Sequence, residues 1–361
     1  MKKLSGLLAL LICTIAFTQE QKPNLIVITT DGFRWQDLFR GMDTAIANQP
    51  EFNEGDSNYL YQTYWSPDLS ERRQKLLPFI WGTLAQKGQI YGNRDAGCKV
   101  DNANPYWFSY PGYNEIFTGF PDTAINTNSY PPNPHVTVLE YLHKQPGFRN
   151  KIAAFGAWEA FDRILNESRS GIPVFSAFDP VGGQTANPRE TLINRMLQSS
   201  YKPWHKEECL DLFTHHAAME WLQSRKPRVL YIAYGETDEW AHAGQYRSYL
   251  DAAHQVDLWI REIWEYVQSD PFYRNKTRIL ITTDHGRGDI VKKEWTSHNN
   301  KIRGASEIWL AAMGPGLPAR GEVKMGMQLY QQQLAQTMAR LLGQTYKASH
   351  PIAAEITEIF K

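Results

Sequence analysis

The chain has 361 residues, with 38 Lys and Arg balanced by 38 Asp and Glu, a pattern that gives no sign of a nucleic-acid or anionic-membrane surface. That length can bury a large core, as one sizeable α/β domain or two smaller ones. The composition is that of a globular protein enriched in aromatics, including 12 Trp, which serve as core or rim packing and in loops can stack on ligands.

At the N-terminus, Met1-Lys2-Lys3 is basic, Leu4 to Phe17 holds a short apolar stretch, and Ala16-Phe17-Thr18 offers a small-residue cleavage site. This pattern predicts a signal peptide over residues 1–18 and an exported protein, periplasmic or secreted. No later stretch is apolar enough to span a bilayer, so no transmembrane segment is expected after signal removal. No linker, repeat or low-complexity tract is visible, and residues 19–361 read as one catalytic domain. Cys98 and Cys209 remain in that domain. In an oxidising compartment they can pair, or they can stay as two buried thiols.

A buried strand is predicted over Asn24–Thr30, followed by a short helix from Phe33 to Arg40. Residues 41–71 are polar and aromatic, with Tyr59, Tyr61, Tyr64 and Trp65, and read as a lid loop. An amphipathic helix is expected from Arg73 to Lys87, leading into a strand near Ile90. Further helices are expected at Tyr113–Thr118, His135–His143, Glu207–Arg225, Tyr246–Gln268 and Gln328–Leu342. Strands are expected at Lys151–Phe155, Val229 to Thr237, Ile279–Thr283 and Glu307–Ala312. The tract from Gly171 to Trp204 is interrupted by Gly and Pro and fits no clear element. Alternating helices and strands predict an α/β fold with a mostly parallel central sheet covered on both faces.

Three of the predicted strands run into an aspartate: Asp31, Asp238 and Asp284. Strands of a parallel sheet end at one common edge, where ligands bind. Three carboxylates meeting there repel one another unless cations are present. Nearby histidines supply further ligands: Asp238-Glu-Trp-Ala-His242, Asp284-His285 and, soon after, His298. Asp with His suits zinc-like divalent ions. Ser109 lies just ahead of a Pro-Gly turn and a helical pattern. There a hydroxyl can serve as a nucleophile or simply as a helix cap.

Taken in order, these motifs resemble the alkaline phosphatase superfamily, most closely its nucleotide pyrophosphatase/phosphodiesterase-like branch. The motifs are strand-Asp31-Gly32, Ser109-Tyr-Pro-Gly-Tyr-Asn with Thr118-Gly119 behind it, Asp238-xxx-His242, Asp284-His285-Gly286 and His298. The resemblance implies two zinc ions, one held by Asp31, Asp284 and His285, the other by Asp238, His242 and His298. It implies Ser109 as a nucleophile beside both metals, and Asn128, with Asn126 as its rival, as the amide that holds a nonbridging phosphate oxygen. The expected substrate is a small phosphorylated molecule, with a slight lean to diesters or nucleotides. A phosphomonoesterase or phosphonate hydrolase is the alternative. A sulfatase requires Arg where Tyr113 stands, a phosphoglycerate mutase is disfavoured by the signal segment, and a non-catalytic binding protein would be expected to have lost ligands. Glu236, Trp158, Glu159, Arg163 and Arg169 are candidates for supporting or substrate-facing roles. His215, His216, His135, His143, His205, His254 and His350 lack ligand-like partners and read as surface or packing residues.

Overall fold

The computed structural model describes residues 23–361; the predicted signal segment lies outside them. In chain order the strands are β1 (Asn24–Thr30), β2 (Gly88–Tyr91), β3 (Cys98–Asp101), β4 (Ile152–Gly156), β5 (Val174–Ser176), β6 (Val229–Tyr234), β7 (Thr277–Thr282), β8 (Glu307–Ile308), β9 (Leu310–Met313), β10 (Gly321–Glu322) and β11 (Met327–Tyr330). Eight of them form one sheet in the order β10-β2-β9-β7-β1-β6-β4-β5, and β11-β3-β8 form a small second sheet. Strands β7, β1, β6, β4 and β5 run parallel. β9 is antiparallel to both of its neighbours.

The central strands are apolar at nearly every position because both faces are covered. Leu25 and Val27 of β1 face one core with Val229, Tyr231 and Leu280. Ile26 and Ile28 face the other core with Leu230, Ile232, Ile279 and Ile281. The long helix Tyr246–Ser269 lies in the second of these cores through Tyr249, Leu250, Ala253, Val256, Ile260, Ile263 and Val267. That spacing marks one face of a 3.6-residue period. Helices Ser109–Thr118 and Leu334–Leu341 contribute to the opposite core.

Several local readings differ from the structure. Residues 41–71 carry helices Thr44–Ala47 and Ser57–Tyr64 and the start of Leu69–Leu76. The Tyr59 and Tyr64 hydroxyls both donate to Asp251 of the long helix, so these aromatics brace the body of the fold. Arg73 to Lys87 is broken into the end of Leu69–Leu76, a π-helical turn over Ile80–Leu84 and a final turn at Ala85–Lys87. The tract 171–204 holds β5 and helix Pro188–Ser199, started by an Asn187–Glu190 capping box. The last helix begins at Leu334, because residues 327–330 pair with β3 as β11.

Cys98 and Cys209 are both free and buried. Cys98, in β3, belongs to the core that holds Leu25 and Val27, and Cys209 to a separate small cluster with Ala157, Leu197 and Phe213. The Cys98 Sγ accepts from the Gly92 N–H at 3.4 Å, while the Cys209 Sγ lies 3.5 Å from the Thr214 hydroxyl. Burial pushes both thiols up, away from the reactive thiolate form. Alkylation of denatured, unreduced protein should therefore label both Cys98 and Cys209. Peptide mass mapping that found them linked would contradict this packing.

Candidate metal centre

The parallel register carries the acidic residues to one edge. Asp31 follows β1 directly, and its N–H donates to the Tyr234 carbonyl at the end of β6 at 2.9 Å. Asp284 stands two residues beyond β7. Asp238 is not at a strand end: β6 stops at Tyr234, and Asp238 sits in the first turn of helix Glu236–His242. His242 is one turn further along that helix, and the i,i+4 spacing places its imidazole over the Asp238 carboxylate. Its Nε2 is 3.0 Å from Asp238 Oδ2.

His285 stands at the centre and is fully buried. Its Nδ1 lies 2.9 Å from the Gly286 carbonyl. A carbonyl can only accept, so Nδ1 carries the proton and Nε2 turns toward the carboxylates. That Nε2 is 3.3 Å from Asp31 Oδ1, 3.5 Å from Asp284 Oδ2 and 3.7 Å from Asp238 Oδ1. His298 is fixed in the same way. Its Nδ1 faces the Trp107 carbonyl at 3.3 Å, and its Nε2 is 2.9 Å from His242 Nε2 and 3.8 Å from Asp238 Oδ1. All six sequence-predicted ligands are thus brought together in two adjoining sets.

Ser109 opens helix Ser109–Thr118, with its Oγ 3.5 Å from His285 Nε2. The residue two before it, Trp107, has φ 55°. This left-handed turn is held by Asn104 Oδ1, which accepts the Trp107 N–H at 3.1 Å. Buried Glu115, on the Ser109 helix, pins the same loop by accepting from the N–H groups of Ala103, Asn104 and Gln332 and from the Asn104 amide. Asn128 Oδ1 accepts the Tyr110 N–H at 3.0 Å, leaving its amide NH2 as the available donor beside Ser109. Asn128 lines the cavity in front of Ser109, of about 300 Å³. Asn126 is exposed and is not part of its wall.

Residues 200–329 match the Metalloenzyme superfamily, the segment that carries Asp238, His242, Asp284, His285 and His298. No curated protein matches the sequence. Among solved structures the chain is similar to the alkaline phosphatase PafA, with TM-score 0.61 and 12% identity, covering 94% of this chain and 99% of that one. It is also similar to the phosphonate monoester hydrolase of Agrobacterium radiobacter, with TM-score 0.58, 12% identity and coverage of 94% and 77%. The 2-O glycosaminoglycan sulfatase BT1596 aligns at TM-score 0.57 and 14% identity, with coverage of 94% and 74%. The fold is alkaline phosphatase-like.

Within this alkaline phosphatase-like fold, the donor set fits divalent ions. Ligand atoms on a tetrahedral zinc, with bonds of about 2.1 Å, stand roughly 3.4 Å apart, close to the separations within each set. The offered oxygens of Asp31 and Asp284 lie within 4.8 Å. At an effective dielectric near 20, two charges at that range repel by about 3 kcal/mol. Asp31 Oδ1 and Asp284 Oδ2 are buried without a hydrogen-bond partner, as atoms reserved for a cation are. Burial and the neighbouring carboxylates push both groups up. Burial alone would depress His285, but Asp284 and Asp31 raise it to about 9. Asp238 behaves differently: burial would raise it, yet Arg287 and His242 hold it well below the usual range.

Sequence reasoning missed the residues that hold the ligands. Arg287 is 1% exposed and donates to both the carboxylate and the carbonyl of Asp238. The Tyr113 hydroxyl donates to Asp31 Oδ2 at 2.9 Å, and Thr237 Oγ1 to the Asp31 carbonyl at 2.5 Å. Arg287 and Tyr113 lie inside or next to motifs already noted, which was the available signal. Gly32 has φ 56°, and a Cβ there would sit 2.5 Å from Asp238 Oδ1. Arg163 lines the cavity, but its guanidinium is tied to Glu159 and to the Asn128 and Tyr130 carbonyls. Arg169 is spent on Glu140 and three carbonyls well removed from the cavity lining. Glu236 accepts from the Asp211 N–H and the Trp240 indole and braces its own helix.

Three outcomes follow for the metals. Zinc-loaded protein should hold about two ions per chain, and His298→Ala should retain about one. The ion at Asp238, His242 and His298 should leave first under a chelator, because Arg287 already neutralises Asp238 and the His242 side chain is 43% exposed. Timed metal release, with His298→Ala reporting the slow fraction alone, reads this order; a fast-only loss from that variant would reverse it. Gly32→Ala, which combines a left-handed backbone with a clash, should cost metal affinity tenfold or more by titration.

Proposed function

We propose that the chain is an exported phosphoric-ester hydrolase that holds two zinc ions and uses Ser109 as its nucleophile. The observation that carries this is the placement of Ser109 Oγ, at the N-terminus of its helix and 3.5 Å from the imidazole shared between the two ligand sets. When bound, the two ions supply charge that lowers the pKa of a hydroxyl and neutralises attacking and leaving oxygens. The residues themselves do the rest. The Ser109 oxygen attacks phosphorus in line as its proton passes to water, and the bond to the leaving alkoxide breaks, the alkoxide taking a proton back from water. The Ser109 N–H and the Asn128 amide hold nonbridging oxygens. Water then cleaves the phospho-Ser109 ester and regenerates the hydroxyl.

The cavity wall favours a diester. Glu159, Glu207, Glu208 and Glu239 line it, and its single lining arginine, Arg163, is already paired with Glu159 at 2.6 Å. A monoester dianion would meet this wall with one more negative charge than a diester does. A sulfatase reading gains no support from Tyr113, whose hydroxyl is committed to Asp31.

Ser109→Ala should lower turnover about a thousandfold or more while zinc content stays at wild-type level. An alanine variant within tenfold of wild type would remove Ser109 from the chemistry. In a panel of p-nitrophenyl monoester, diester, phosphonate and sulfate, the diester should give the highest kcat/KM. A monoester value about a hundredfold higher, roughly 2.7 kcal/mol of transition-state preference, would reverse the assignment.

A further inference from the structure

The acidic wall calls for more than the absence of a second negative charge. Glu208 is 6% exposed, and its Oε1 is buried without a hydrogen-bond partner. The carboxyl lies against the start of the helix that carries Asp238 and His242. A Cβ at Gly235 would stand 1.7 Å from Oε1, so only glycine leaves room for it. Glu208 lines the same cavity as Glu207 and Glu239, and Trp158 forms part of the wall. Trp158 and Glu208 are also backbone partners in a β-bridge, which sets the two residues side by side in that wall.

Two divalent ions would balance Asp31, Asp238 and Asp284 and leave charge to spare for the phosphoryl group. The residues that would hold them do not include Glu207, Glu208 or Glu239. Arg163 is committed to Glu159. An unpaired buried carboxylate is costly unless a positive charge meets it. An aromatic face beside carboxylates is the environment that selects an organic ammonium group, through charge and cation–π attraction.

Building on the hydrolase reading, we propose that the cavity beside the metal centre is a cation subsite: Glu208, Glu207, Glu239 and Trp158 receive an ammonium group carried on one arm of the phosphodiester substrate.

The test compares p-nitrophenyl phosphorylcholine with its uncharged carbon isostere, p-nitrophenyl 3,3-dimethylbutyl phosphate, on zinc-loaded protein. Consumption of either ester is followed by phosphorus NMR, so that cleavage of either P–O bond counts. The cationic ester should have a kcat/KM at least tenfold higher. Glu208→Gln should shrink that ratio about tenfold, and Glu239→Gln should shrink it too if the first variant folds poorly. Calorimetry with tetramethylammonium chloride should show binding to the wild type that weakens at least fivefold in Glu208→Gln and Trp158→Ala. Equal rates for the two esters would overturn the subsite and leave the hydrolase reading standing. Tetramethylammonium binding with neither ester consumed would do the reverse. A third divalent ion at Glu208 that tetramethylammonium does not displace would also overturn the subsite.

Discussion

The structure depends on one electrostatic constraint, the burial of Asp31, Asp238 and Asp284 around a single imidazole. Each of these carboxylates is at most 9% exposed, and burying like charges together is unfavourable without cations. The parallel register of β1, β6 and β7 delivers them to that point. The close approach then dictates the small residues. Gly32 gives way to the Asp238 carboxylate, and Gly112 lets the Ser109 helix pass 2.5 Å, at its missing Cβ, from the Asp284 carbonyl. The Ser109 helix is therefore packed directly on the Asp284 backbone, which ties the position of Ser109 to that of Asp284.

The two ligand sets are balanced unequally by the protein. Asp238 has Arg287, a fixed positive charge buried beside it. Asp31 and Asp284 have only His285, along with the Tyr113 hydroxyl and the Gly32 N–H as neutral donors. Without an ion, the first carboxylate stays ionised, whereas the other two are pushed toward their protonated forms. The demand for an external cation is thus concentrated at Asp31 and Asp284. Backbone carbonyls at Gly286 and Trp107 orient the rings of His285 and His298, so the Nε2 of each already faces its carboxylates before any ion arrives.

The parallel core and the ligand sets were legible because their signals are local. Apolar runs mark the buried strands, and Asp31 and Asp284 fall within two residues of the ends of β1 and β7, whereas Asp238 lies in the helix after β6. Short edge strands were not legible: β5 has three residues and β10 two, and such pieces exist only because a neighbouring strand offers them hydrogen bonds. The aromatic tract at 41–71 misled because Tyr59 and Tyr64 look like exposed stackers, when their hydroxyls answer Asp251 about 190 residues away. Glu208 was invisible for a related reason. Nothing in Lys206-Glu-Glu-Cys209 separates the exposed glutamate from the buried one, since a β-bridge to Trp158 decides which is which.

That bridge also belongs to a part of the cavity wall built separately from the candidate metal ligands. The candidate metal ligands come from the turns after β1 and β7, the helix following β6 and the loop at His298. The wall of the cavity comes from the segment after β4, which supplies Trp158 and Glu159, and from the segment preceding helix Asp211–Arg225, which supplies Glu207 and Glu208. These lie toward the β5 edge of the sheet, where loops can vary without moving β1 or β7. The chain has no net charge, yet the wall holds four glutamates against one committed arginine. Three of those four glutamates, Glu159, Glu207 and Glu208, stand on segments that carry none of the candidate ligands.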